Sequence, residues 1–338
     1  MAGSTGSTGL SERLTGFAYR LGWKLICRLP ESWARWAFTK VADIAWRRQG
    51  PKVQVLEANL HRVLSYKSGR PDVDGKELRA LSRATLRSYA RYWLEVFRLP
   101  VIPIERIVSG MHVNAEGEAE LFANLKAGRG VVIALPHMGN FEQAGGWVVA
   151  RGAGSFTTVA ERLRPESVYE AFVRFREGLG MEVLPLTGGQ SPFGTLAQRL
   201  RAGKLVCLVS DRDLKDTGVE VQMFGETARI ASSAALAVHT GAALLPVATW
   251  FEGDDWGAHI YEEIPVPQSG TRAEKIAAMS QQLARVFETG IAEHPQDWHM
   301  LQRVFTADLD PERLSKVPGL AGAQGRGPVP QQRAAGDP

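Results

Sequence analysis

The sequence predicts an α/β fold: a central, mainly parallel β-sheet flanked by helices, with an N-terminal amphipathic helical hairpin. Three observations lead there. Short apolar runs recur at 131–136 (VVIALP), 156–161 (FTTVAE), 182–186 (EVLPL), 205–211 (LVCLVSD) and 244–251 (LLPVATWF). Stretches of helical periodicity, at about 140–151, 165–180, 192–203 and 232–241, fill the gaps between them. Ahead of residue 100 the texture differs, being helical and rich in Trp, Lys and Arg.

The first helical segment carries Leu14, Phe17, Ala18, Leu21, Leu25 and Leu29 at helical spacing, with Arg13, Arg20, Lys24 and Arg28 between them. A second helix starts near Glu31, after Pro30, carries Trp33, Trp36, Phe38, Val41 and Ile44, and stops near Gly50–Pro51. Four of the nine tryptophans fall in these two segments. Trp and Lys/Arg on an amphipathic helix suit the bilayer interface, where an apolar body and a polar tip are both satisfied. The turn Ser68-Gly-Arg-Pro71 leads to a long helix from about Lys76 to Arg98.

Beyond it, strands that are apolar on both faces alternate with helices, the pattern of a parallel sheet with crossover connections. A further pair, VEVQMF (219–224) and HIYEEIPV (259–266), is expected to add antiparallel or edge strands. A last helix runs from about Arg272 to Glu293. The domain reading is a flexible N-terminus at 1–13, one domain at 14–313 with a membrane-facing hairpin at 14–66, and a Gly/Pro-rich disordered tail at 314–338.

Composition narrows the function classes. Residues 1–100 carry 18 Lys/Arg against 8 Asp/Glu, leaving 22 against 28 for the remainder, so a net charge of +4 hides a basic N-terminal third. That charge, together with the tryptophans, favours an anionic membrane surface, where each basic residue contributes roughly 1 kcal/mol. No nucleic-acid motif accompanies it, so nucleic acid is not expected as a partner. No apolar stretch reaches the ~18 residues a membrane span needs, and the start lacks the pattern of a signal peptide. The expected location is peripheral, on a membrane surface, and the two lone cysteines make a reducing cytoplasm the default. Cys27 and Cys207 give neither a disulfide framework nor metal-ligand spacing.

The chemistry gathers at strand ends. Leu135-Pro-His137-Met-Gly-Asn-Phe-Glu142 follows an apolar strand and opens a helix, at the edge where open α/β sheets bind ligands. A carboxylate one turn into that helix can accept from one imidazole nitrogen and leave the other as a general base. His-x4-Glu alone is common, and by spacing alone an ordinary structural histidine is the better reading. Glu161, Arg162 and Arg164 follow the second strand, where arginines suit phosphate. Glu161 is expected to pair with Arg176 or to contact a bound substrate. Asp211-Arg212-Asp213 ends the strand LVCLVSD, and a DxD there is also a divalent-metal signature of sugar-nucleotide glycosyltransferases.

The run H137-M-G-N-F-E142 resembles the HxGN(W/F)(D/E) signature of the bacterial lipid A biosynthesis acyltransferases. Residues 155–189, 210–230 and the run DWHMLQRVF (297–305) are similar to the actinobacterial branch of that family, the phosphatidylinositol mannoside acyltransferases. The likeness spans roughly 14–310 in the same order. It implies transfer of a fatty acyl group, typically palmitoyl, from acyl-CoA to the 6-hydroxyl of a mannose of phosphatidylinositol mannoside. It also implies His137 as base, Glu142 as its orienting carboxylate and Arg176 near the thioester oxyanion. Asp211 and Arg212 become pocket residues, and Glu226 and Arg229 belong to a motif bordering the acceptor. Acyl-CoA is a co-substrate, and neither cofactor nor metal is implied. The chain departs from the branch at Met223, where Phe is usual, and at Ile230-Ala-Ser-Ser-Ala234, where a Pro/Gly pattern is usual. A lipid A-type acyltransferase is the near alternative. A DxD glycosyltransferase and a non-catalytic membrane-peripheral lipid-binding protein are the alternatives of other classes.

Overall fold

The computed structural model describes residues 22, 23, 25–161, 166–186, 191–213 and 217–309. Helix α1 (Glu31–Arg48) starts directly after Pro30, and the chain turns at Gln49 and Gly50 into α2 (Pro51–Ser68). Sequence reading takes Gly50–Pro51 as a stop and assigns no separate helix between it and the turn at Ser68. The structure places Pro51 in the first turn of a new helix, where its missing N–H costs nothing. Helix α3 (Gly75–Arg98) is capped by Asp74, whose side chain accepts from the Lys76 N–H at 2.9 Å.

Arg83 and Arg87 of α3 both grip the buried Asp43 of α1, with N···O distances of 2.7–3.0 Å. Together they hold its carboxyl well below the usual range. Trp46 donates to Ser82 at 3.1 Å while the Arg79 guanidinium lies over its ring. These contacts fasten one face of α1 to α3. Trp33, Trp36, Val41 and Ile44 of α1 stay exposed; Trp33 retains 70% of its accessible surface. No helix among the described residues is long and apolar enough to cross a membrane.

The remaining elements follow in order: α4 (Ile104–Gly110), β1 (Met111–Val113), α5 (Ala115–Lys126), β2 (Val131–Leu135), α6 (Phe141–Val148), β3 (Phe156–Ala160), α7 (Glu166–Gly178), β4 (Met181–Pro185) and α8 (Phe193–Arg201). Then come β5 (Leu205–Val209), β6 (Val219–Met223), β7 (Glu226–Ile230), α9 (Ser233–Thr240), β8 (Ala243–Glu252), β9 (Asp255–Ile260) and α10 (Arg272–Glu293). Seven strands form one sheet in the order β1-β9-β8-β2-β5-β3-β4. Its pairings are parallel except β8 with β9, so the mainly parallel α/β class holds.

Alternation along the strands feeds two cores. Val132, Ala134, Val206, Leu208 and Leu244 pack toward α8, α9 and α10. Ile133, Leu135, Leu205, Leu245 and Val247 pack toward α5 and α6.

The expected antiparallel strands form with shifted bounds and partners: VEVQMF supplies β6, while HIYEEIPV supplies only the last two residues of β9. β6 folds back on β7 as a separate two-stranded sheet, and β9 begins earlier, at Asp255, opposite β8. The cause is local turn chemistry. Gly253, at φ +59°, closes a hairpin that pairs Glu252 with Asp255. Residues 14–21 and 24 of the expected hairpin, and the tail at 314–338, lie outside the described residues.

Candidate active site

Strands β2 and β5 run parallel in register, with Leu135 opposite Val209, and the Ser210 N–H continues the ladder onto the Leu135 carbonyl at 2.8 Å. Two residues further along each chain, the same register brings His137 beside Asp211. The His137 backbone N–H donates to Asp211 Oδ2 at 2.9 Å, and its ring Nδ1 meets Asp211 Oδ1 at 2.5 Å. The Trp298 indole N–H donates to Oδ2 as well, at 2.9 Å. Asp211 is fully buried, which alone would raise its carboxyl. The charge of the His137 ring and these donors outweigh burial and hold it below the ordinary carboxylate value. An ionised Asp211 fixes Nδ1 as the protonated nitrogen and leaves Nε2 as the potential base.

The expected imidazole partner was Glu142, and here the structure differs. Glu142 lies in the first turn of α6, is buried, and pairs with Arg176 of α7: Nη2 contacts Oε1, and Nε reaches Oε2 at 3.2 Å. Arg176 also lies over the Phe172 ring at 4.7 Å. Burial would weaken its protonation, but the Glu142 charge more than compensates. Spacing brings Glu142 near the histidine; the turn at Gly139 sends it toward α7 instead. Gly139 has φ +55°, and a Cβ there would come within 2.6 Å of the Trp250 backbone nitrogen. No side chain fits that turn.

Asn140 caps α6 by accepting from the Gln143 N–H at 3.1 Å, and it donates to Glu95 of α3 at 2.7 Å. Behind the loop, residues 297–299 act as a template. Gly139 N–H donates to the Asp297 carbonyl at 2.9 Å and His299 N–H to the His137 carbonyl at 2.7 Å. Thr249 donates to the Met138 carbonyl at 2.6 Å. His299 is buried, and burial with the nearby His137 charge pushes it down to about 3, so it is neutral and structural.

Two spaces meet at this loop. A cleft with about 1640 Å³ of unfilled space is bordered by His137, Tyr92, Arg176, Glu161, Arg212 and Asp213, among others. A second, strongly apolar cavity lies between the sheet and α6, walled by Ile133, Leu135, Trp147, Cys207 and Val247. Phe141, Val159, Arg176 and Val209 border both.

The other expected site residues divide. Arg212 lies on the cleft with Glu161 nearby, Nη2 to Oε2 at 3.7 Å, so Glu161 faces Arg212 rather than Arg176. Arg162 and Arg164 lie outside the described residues. Arg229 is buried behind the cleft wall, donating to Asp213 at 3.2 Å and to the Gly218 carbonyl at 2.9 Å. Glu226 is not on the cleft; it pairs with Arg62 at 2.9 Å, in a clasp that also takes Asp308. A DxD metal pair fits this geometry poorly. Both Asp211 oxygens are taken by N–H donors, and Asp213 is paired with Arg229. Sequence reading left Trp298 and Tyr92 out of the site. The family-like run around Trp298 was the available signal for the first, and Tyr92 has none in its own neighbourhood.

The family model of the bacterial lipid A biosynthesis acyltransferases matches residues 4–307. The chain belongs to this family. It is an O-acyltransferase, and the His137 loop lies within the matched residues. Its relatives include a phosphatidylinositol mannoside acyltransferase of Mycolicibacterium smegmatis, 45% identical over 315 residues, covering 93% of this chain and 98% of the relative. A phosphatidylinositol mannoside acyltransferase of Mycobacterium tuberculosis is 45% identical over 313 residues, covering 92% and 94%. In this acyltransferase, then, a histidine held by a buried carboxylate lines a cleft that shares a border with an apolar cavity.

Proposed function

We propose that the enzyme transfers a fatty acyl group, palmitoyl by preference, from acyl-CoA to the 6-hydroxyl of a mannose of phosphatidylinositol mannoside. The observation that carries this reading is the His137–Asp211 pair on a cleft that shares a border with an apolar cavity. Relatives that bear the phosphatidylinositol mannoside acyltransferase name over nearly their whole length support the acceptor.

In the reaction, His137 Nε2 removes the proton of the mannose hydroxyl while Asp211 stabilises the imidazolium through Nδ1. The oxygen attacks the thioester carbonyl and a tetrahedral oxyanion forms. Its collapse breaks the C–S bond, and the imidazolium returns the proton to the departing CoA thiolate. No acyl-enzyme is needed. Glu142 holds Arg176 at the junction of the two spaces, where a fixed cation stabilises the oxyanion. Arg212 is suited to a phosphate of either substrate. The exposed Trp33 and Trp36 of α1 support docking on an anionic membrane surface.

The test is incubation of the full-length enzyme with palmitoyl-CoA and purified phosphatidylinositol mono- and dimannoside, with the product mapped by mass spectrometry and sugar linkage analysis. A palmitoyl ester on a mannose 6-carbon is expected. Acylation on the inositol or on a different lipid would displace the acceptor assignment.

A further inference from the structure

We propose that Trp298 is a positioning residue for acyl transfer, its indole N–H fixing the Asp211 carboxylate that holds the base His137. The inference rests on the function proposed above and adds to it a residue remote from the histidine motif, on the segment that follows α10.

Asp211 accepts three N–H donors, two from His137 itself and the third from Trp298. Donors carried by the base cannot fix the carboxylate independently of the base. The Trp298 indole is the reference point outside the pair. It is fully buried and rigidly placed. Its backbone bridges Met138, the flanking Asp297 and His299 bond the catalytic loop, and its ring meets Phe224 at 6.0 Å. The χ2 torsion of an aspartate is broad, so the third donor decides where the carboxylate plane stands. The ordinary alternative is a packing tryptophan whose N–H has merely found an acceptor, as buried indoles usually do.

The two roles differ in what they do to pH dependence. The titratable and charged groups around the pair on the cleft are Tyr92, Glu161, Arg176, Arg212 and Asp213, which the substitution leaves in place. Behind the loop they are His299, held neutral by burial, and Asp297, turned toward Ser88 and the Phe251 N–H. Loss of the indole N–H therefore acts on His137 and Asp211. A carboxylate short of one donor draws harder on the Nδ1 proton and is itself easier to protonate. Both effects move the acid limb of the rate profile to higher pH.

The experiment compares the full-length wild type with Trp298→Phe and with a chain carrying benzothienylalanine at 298, which keeps the indole shape and replaces N–H by sulfur. Palmitoyl transfer is followed across pH, and the His137 ring is titrated by NMR in the same proteins. The expected result is a fall in kcat on the order of ten- to a hundredfold. KM should change little, and both the acid limb and the His137 midpoint should rise. The benzothienyl chain keeps the result readable if the Phe variant folds poorly. An unmoved His137 midpoint, or a uniform loss at every pH, would overturn the proposal. If the wild type transfers no acyl group, the functional reading fails, while the His137 midpoint still decides the role of Trp298.

Discussion

His137 and Asp211 stand 74 positions apart, yet ring and carboxylate meet at 2.5 Å because two parallel strands end in register. The contact is built by sheet geometry before any side chain chooses a rotamer. Glu142, the nearer carboxylate in sequence, is engaged with Arg176. The site thus holds two separate pairs, one in which Asp211 holds the His137 ring and one in which Glu142 fixes the Arg176 cation at the cleft.

Asp211→Asn should keep the fold and lose the reaction. An amide at this position can present a donor to Nδ1 and favour the wrong tautomer. A loss of about 10²–10⁴ in kcat with little change in KM is expected, by analogy with orienting aspartates elsewhere. Steady-state kinetics over a range of acceptor concentrations separates the two constants.

Glu142→Gln should cost stability as well as activity, because it leaves Arg176 charged and largely buried; the two side chains keep 3% and 14% of their exposure. Breaking such a pair typically costs on the order of 3–5 kcal/mol. Adding Arg176→Met should return much of the stability and none of the activity. Denaturant melts of the single and double variants check the first half, and transfer assays the second.

His299 supplies a pH signature. Its charged form is disfavoured in the fold down to about 3, whereas the unfolded ring takes up a proton near 6.5. Below 6.5 the unfolded state binds a proton that the folded state refuses, so acidification destabilises the fold. The slope from this group approaches roughly 1.4 kcal/mol per pH unit. Between about 6.5 and 3, His299→Gln should show a shallower loss of stability than wild type, measured by urea melts at stepped pH. Parallel curves would remove this assignment.

Most of the scaffold was legible in the sequence because each sheet strand from β2 to β8 is a self-contained apolar run and each crossover helix shows its own periodicity. α10 was readable to the residue, since Thr271 and Glu274 form a capping box. The β6–β7 hairpin and the start of β9 were not, because they depend on turns at Gly225 and Gly253 that outweigh the strand pattern around them. At the site, His137 was visible through its motif, but its carboxylate partner was not. Local spacing ranks Glu142 first, and only the β2–β5 register brings Asp211 to the ring. Glu226 was grouped with the cleft because its motif is contiguous; a strand's side chains alternate, and here the carboxylate points to Arg62.

The apolar cavity offers a test of chain length. Val113, Leu121, Ala258 and Ile260 line its part toward β9 and β1, away from the shared border at Arg176. Ala258→Phe should fill that end. Transfer of palmitoyl is expected to fall at least tenfold while octanoyl transfer is retained, with about 1–3 kcal/mol lost to overpacking. Competition between the two acyl-CoA donors in one reaction gives the ratio directly.

The central claim, a histidine base acting directly on an acceptor hydroxyl, is met most directly by transfer of radiolabelled palmitate from palmitoyl-CoA to phosphatidylinositol mannoside by wild type and His137→Ala. Labelled lipid from wild type and a loss of at least about 10²–10³ in the variant, with its melting temperature unchanged, is the predicted result. Transfer by a folded His137→Ala protein at the wild-type rate would contradict it.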